Sequence, residues 1–218
     1  MKKVAFYHTT LNTPLTLKKA FEEKYPGVQL ITVVDDGIVP EFSSNNNEIT
    51  PGIVRKLVDF ARESERCGAL VCMDMCTTIT KAVEIANNAV TIPFVTIDGP
   101  MLDKAVCSGN KVALLVTART TVKASSDSIR RAAIRNKREE VATDTIVVDG
   151  AFEALNVEKN KEKHDRLIAE KVIELQNDYD VIALGQVSMV DATNYLNDIK
   201  IPVLTSLESG LEQLRKYL

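Results

Sequence analysis

Cys76 is the residue around which chemistry in this sequence is arranged. It lies in Asp74-Met75-Cys76-Thr77-Thr78, between an apolar run over 69–73 and a helically spaced set, Ile79, Ala82, Val83 and Ala86. A strand passing straight into a helix places that turn at the carboxyl edge of a parallel sheet, where open α/β folds hold ligands. A thiol there meets free backbone N–H groups and a helix dipole, both of which favour a thiolate or a bound anion. A lone cysteine also packs well as a small apolar residue, so its type alone leaves both readings open. Other candidates share the setting. Thr9, Thr10 and Asn12 follow the first apolar run, Thr77 and Thr78 follow Cys76, and Thr117, Thr120 and Thr121 follow a later run. Small hydroxyl and amide donors at helix starts hold a small carboxylate, and they also serve as helix caps. His8 ends the first run and is the better placed of the two histidines; His164, at a helix start, is expected to be exposed.

These side chains need alternating strands and helices to position them. Strands are expected over 3–8, 28–34, 69–73, 91–96, 111–117, 144–148, 181–184 and 201–204. Thr13-Pro14 and Thr50-Pro51 each set a cap before a proline at the first helical position. Residues 38–50, with Ser43-Ser44-Asn45-Asn46-Asn47, read as a polar loop. Leu207, Leu211, Leu214 and Leu218 mark one stripe of a final helix. The alternation means a parallel α/β sheet wound with right-handed crossovers.

The pattern also repeats. Lys3-Val4-Ala5 returns as Lys111-Val112-Ala113, with Thr9 and Thr13 matching Thr117 and Thr121, all 108 residues on. Val33-Val34-Asp35 returns as Val147-Val148-Asp149 at 114, and Ile92-Pro93 with Thr96 returns as Ile201-Pro202 with Thr205 at 109. Three blocks in one order at nearly one offset mean two copies of a βα unit. At an offset of 110, Cys76 corresponds to Gln186, in the strand-to-helix turn Gly185-Gln186-Val187-Ser188. Two doubly wound parallel-sheet domains are therefore expected to face each other about a pseudo-twofold axis, with the two turns opposed across a cleft.

Composition bounds the function classes. The chain has 218 residues, enough for one large or two small domains. Hydrophobic residues at 45% and charged ones at 26% match soluble globular proteins. A formal charge of −3 argues against nucleic acid or an anionic membrane as the main partner. No apolar run approaches the roughly 18 residues that span a bilayer. The first apolar stretch ends at His8, too short for a signal-peptide core, so a cytoplasmic location is expected. Cys67, Cys72 and Cys107 read as packing thiols, and two histidines without a Cys-x-x-Cys make a structural zinc site unexpected. There is no Gly-rich phosphate loop, so NAD, ATP and PLP are not expected. Arg130, Arg131, Arg135, Lys137 and Arg138 read as a solvated helix face.

Cys76-Thr77-Thr78, Thr117-Ala118-Arg119-Thr120-Thr121, Gly150-Ala151-Phe152 with His164-Asp165, and Leu184-Gly185-Gln186-Val187-Ser188-Met189 together resemble the aspartate/glutamate racemase superfamily. That group also includes hydantoin racemase, maleate isomerase and arylmalonate decarboxylase. The resemblance covers essentially the whole chain. It implies two similar α/β domains with the active site between them, no cofactor, a small carboxylate substrate and a homodimer. It also implies that the last helix returns to the first domain, giving 1–98 with 206–218, and 99–205. Family racemases place a cysteine on each face of the substrate's α-carbon, because inversion needs an acid and a base on opposite sides. Cys76 matches the first cysteine. The second position is Gln186, which neither takes nor supplies a proton at useful pH. Three readings stay open. Cys76 serves as base or nucleophile in an isomerase, with Ser188, Asp74, His8 or water opposite; or it serves a decarboxylase- or lyase-type carbon-acid enzyme; or the chain is an inactive small-carboxylate binder.

Overall fold

The expected alternation of strands and helices builds two four-stranded parallel sheets. The computed structural model describes residues 1–11 and 14–218. In the first sheet, β1 (Lys3–His8), β2 (Gln29–Val34), β3 (Cys72–Asp74) and β4 (Phe94–Thr96) lie in the order β2-β1-β3-β4. In the second, β5 (Lys111–Val116), β6 (Ala142–Val147), β7 (Val181–Leu184) and β8 (Val203–Thr205) lie in the order β6-β5-β7-β8. One order used twice is the duplication in three dimensions. The chain divides into Met1–Ile97 with Leu211–Leu218, and Asp98–Gly210.

The helices of the first unit are α1 (Pro14–Lys24), α2 (Ile38–Ser44), α3 (Pro51–Arg66) and α4 (Thr80–Asn87). Thr50 caps α3 by accepting from the Ile53 N–H at 3.0 Å, with Pro51 at the first position as its spacing indicates. Thr13, the cap expected before α1, lies outside the described residues. The polar loop expected over 38–50 is partly helical: Ile38 and Phe42, four residues apart, are both buried and hold α2 against the unit. Residues 211–218 join this unit through the Tyr25 hydroxyl, which donates to the Leu211 carbonyl at 2.8 Å, and Gln213, whose amide donates to the Thr96 carbonyl at 2.9 Å.

The second unit carries α5 (Gly99–Ser108), α6 (Val122–Arg135), α7 (Ala151–Asn156), α8 (Lys161–Leu175) and α9 (Ser206–Glu212), the last crossing the boundary into the first unit. Its core forms two layers because alternate β5 side chains point to opposite faces. Val112 and Leu114 pack with Ile129 and Ala132 of α6, while Ala113 and Leu115 pack with Ile168 and Val172 of α8. Strand register corrects one repeat match by a residue. Val34 lies opposite His8 as Val147 lies opposite Val116, so the second strands are related by 113 residues, not 114. No helix of the described residues is long and apolar enough to cross a membrane.

Candidate active site

Strand alternation decides what the first unit presents at its carboxyl edge. Tyr7 packs against Phe60 of α3, with ring centroids 4.9 Å apart, whereas His8 lies on the Phe6 side, 6.3 Å from that ring. His8 is 1% exposed, and neither ring nitrogen has a hydrogen-bond partner among the described residues. Burial lowers its pKa to about 4, so the ring is neutral near pH 7.

Two residues beyond β3, Cys76 is half-buried. Its N–H donates to Asp74 Oδ1 at 3.0 Å, an Asx-type turn that carries the chain from the strand towards α4. The Thr9 hydroxyl and the N–H and hydroxyl of Thr78 are the donors beside the sulfur that favour its ionised form. The thiol is nevertheless pushed up to about 11. Burial is the largest cause and the Asp74 carboxylate the next, outweighing the Thr9 and Thr78 hydrogen bonds. This corrects the expectation that the helix start makes Cys76 a ready thiolate. α4 begins only at Thr80, four residues on, beyond the short reach of a helix terminus, and a buried carboxylate lies closer.

The second unit repeats the backbone of this turn and changes its chemistry. The Met75 N–H donates to the Tyr7 carbonyl at 2.9 Å, and the Gly185 N–H donates to the Leu115 carbonyl at 2.8 Å. A Cβ on Gly185 would stand 2.8 Å from that carbonyl oxygen, so a side chain at this position of the second unit forces the backbone to shift. Thr117 and Gln186 then meet as Thr9 and Cys76 do. Gln186 Oε1 accepts from the Thr117 N–H at 2.8 Å and from its hydroxyl at 2.7 Å. A backbone N–H only donates, so the amide orientation is fixed chemically: the oxygen faces Thr117 and the two N–H donors remain for a ligand. Where the first unit has His8 and Asp74, the second has Val116 and Leu184. Ionisable groups thus line one edge and hydrogen-bond donors the other.

The remaining candidates sort by burial and bonding. Thr9 and Thr117 are buried, Thr77, Thr78 and Ser188 half-buried, and Thr10 and Thr120 exposed. Thr121 donates its hydroxyl proton to the Ala118 carbonyl at 2.7 Å, a local turn bond. Asn12 lies outside the described residues. Beside Thr117 a cavity of about 290 Å³ opens among Arg119, Thr120, Asp149 and Phe152, with Arg119 2.8 Å from Asp149. Among the described residues, no three His, Cys, Asp or Glu side chains gather to hold a metal ion.

Two histidine and cysteine expectations are corrected. His164 is fully buried, because it shares a helix face with Ile168 and Val172 at four-residue spacing. Its Nδ1 lies 2.8 Å from Asp165 Oδ1, and Lys161 holds that carboxylate at 2.5 and 2.6 Å. Cys72 is a buried packing thiol as expected, whereas Cys107 is exposed and Cys67 half-buried.

The family model for Asp/Glu/hydantoin racemases matches residues 8–214 of this chain. No curated protein sequence matches it. Among solved structures, glutamate racemase from Aquifex pyrophilus is similar at 20% identity, covering 99% of this chain and 84% of that one, with a TM-score of 0.66. An aspartate racemase homologue from Pyrococcus horikoshii OT3 is similar at 18% identity, covering 99% and 98%, with a TM-score of 0.66. Allantoin racemase from Klebsiella pneumoniae is similar at 12% identity, covering 99% and 87%, with a TM-score of 0.67. At such identities the likeness shows the fold.

Proposed function

The chain belongs to the Asp/Glu/hydantoin racemase family, and we propose that it is an isomerase-type enzyme moving a proton at the α-carbon of a small carboxylic acid through one thiol, Cys76. Amino-acid-like and hydantoin-like acids are the substrate classes. Cys76 takes the α-proton from one face and returns it there faster than water supplies one to the opposite face, and that opposite-face delivery completes the isomerisation. Thr9 and Thr78, whose donors favour the ionised sulfur, steady the thiolate that takes the proton. Asp74 makes that thiolate scarcer and correspondingly more basic. Gln186 transfers no proton; its two N–H donors hold the substrate carboxylate and stabilise the negative charge that gathers there as the proton leaves. The other candidate contacts, including His8, Thr10, Thr77, Thr120 and Ser188, line the substrate in this reading. It uses no cofactor and carries with it a homodimer, as the family resemblance implies, and the cytoplasmic setting expected from the sequence.

The observation that supports it is the repeated turn, whose backbone bond recurs in both copies and which presents a thiol beside Thr9 in one and an amide hydrogen-bonded to Thr117 in the other. A second reading, a decarboxylase-type carbon-acid enzyme, is favoured by the high thiol pKa. A protonated Cys76 is in the right state to deliver a proton to the carbanion left when CO₂ departs. Incubating small amino acids, hydantoins and substituted malonates in heavy water, with wild type and Cys76→Ala, tests both. Thiol-dependent deuterium entry accompanied by measurable inversion and without carbon loss supports the isomerase, and thiol-dependent CO₂ release supports the second reading. Turnover that survives Cys76→Ala, or ligand binding without any turnover, overturns both.

A further inference from the structure

The first unit has a groove of about 550 Å³ between β2 and α3, on the Tyr7 side of the sheet. The corresponding flank of the second unit is filled. Ile146, which pairs with Leu115 as Val33 pairs with Tyr7, has Leu167, Leu175 and Tyr179 packed around its cluster. In the first unit α3 turns Lys56, Asp59 and Glu63 towards β2 instead, so Ile31 and Val33 are left half-buried at the groove wall. The floor is aromatic: Tyr7 and Phe60 are 2% and 7% exposed, and their rings are tilted against each other. The rim is acidic. Lys56, the one cation lining it among the described residues, is held 3.2 Å from Asp35 and 3.4 Å from Glu41. Glu63 pairs with Arg66 at 2.6 Å, whereas Asp36 and Asp59 have no ion-pair partner among the described residues.

We propose that this groove is a binding site for amphiphilic organic amines, in which an aromatic or alkyl body lies on Tyr7, Phe60, Ile31 and Val33 and the ammonium group meets Asp36, Asp59 and Glu63. The volume lies within the usual range of small-molecule sites, and an apolar bed with a few convergent charges is their usual lining. Anionic ligands meet three carboxylates at the rim and are excluded. The site is separate from the proton chemistry proposed above and stands or falls without it.

Amide NMR titration of the ¹⁵N-labelled full chain tests the site with three probes: phenethylamine, ethylamine and 3-phenylpropionate. Phenethylamine should move the amides of 31–36 and 56–67 saturably, ethylamine much more weakly, and 3-phenylpropionate not at all. Asp59→Asn with Glu63→Gln, both exposed and so neutral for folding, should weaken phenethylamine about tenfold. Asp59→Lys with Glu63→Lys should turn the preference towards 3-phenylpropionate. Equal response to ethylamine and phenethylamine would reduce the effect to surface charge and overturn the proposal. So would shifts outside this groove, no saturable shift, or binding indifferent to either double variant.

Discussion

Replacing Gln186 with cysteine is the perturbation whose outcome the duplicated geometry specifies most fully. The substitution removes the amide oxygen that accepts from the Thr117 N–H and hydroxyl. Two lost hydrogen bonds cost about 1–3 kcal/mol in total, since each contributes about 0.5–1.5. In a chain of this size that lowers Tm by roughly 2–12 °C, which leaves a folded protein to assay. The introduced thiol takes the place relative to Thr117 that Cys76 has relative to Thr9. Its neighbour is Leu184, so it lacks the carboxylate that raises Cys76 and ionises more readily. A positioned acid or base contributes on the order of a hundredfold or more, so Gln186→Cys should raise the rate of stereochemical inversion by about that factor. The assay is chiral analysis of an α-deuterated product formed in heavy water, run beside thermal melting. The reasoning is refuted if Gln186→Cys melts within the stated range, its new thiol is alkylated by iodoacetamide, and inversion stays at the wild-type rate.

Other consequences are independent of that experiment. Asp74→Asn keeps an acceptor for the Cys76 N–H but removes the charge, so the midpoint of iodoacetamide labelling against pH should fall below about 11. His8 titrates near 4 when folded and near 6.5 when unfolded, so between those values the unfolded chain holds the extra proton. Stability therefore falls as pH drops from 6.5 to 4, by up to about 3 kcal/mol, and urea titrations of His8→Leu should lose that part of the slope. Gly185→Ala drives a Cβ to 2.8 Å from the Leu115 carbonyl and should cost about 1–3 kcal/mol by thermal melting; unchanged Tm would contradict the packing described. Thr117→Val removes one of the two donors to Gln186 and should cost about 1 kcal/mol in urea unfolding, with KM rising as the amide loosens.

The strand-and-helix order and the correspondence of Cys76 with Gln186 were legible in the sequence, because apolar runs, caps and a repeated offset all survive in the residue types. The Val116 and Leu184 counterparts of His8 and Asp74 were legible too, had the offset been carried one or two residues upstream of each turn. His164 was misread as exposed although its four-residue spacing to Ile168 and Val172 marks a buried face. Its polarity hid a pattern that an apolar residue would have displayed. α2 was missed because Ile38 and Phe42 are two buried residues beside a run of serine and asparagine, too few to show a period. The fate of the Cys76 thiol lay beyond the sequence. A helix start lowers a thiol and a buried carboxylate raises it, and only distances decide which wins. The orientation of the Gln186 amide likewise depends on where the Thr117 N–H lies.

With one proton-moving group where inversion needs two, the proposed chemistry is measured most directly by the stereochemical course of exchange. An enantiomerically pure substrate in heavy water, followed simultaneously for deuterium at the α-carbon and for optical rotation, gives both rates from one sample. Wild type should exchange much faster than it inverts, and Cys76→Ser should do neither. Inversion keeping pace with exchange would mean a second acid of full strength opposite Cys76 and would contradict the role given to Gln186.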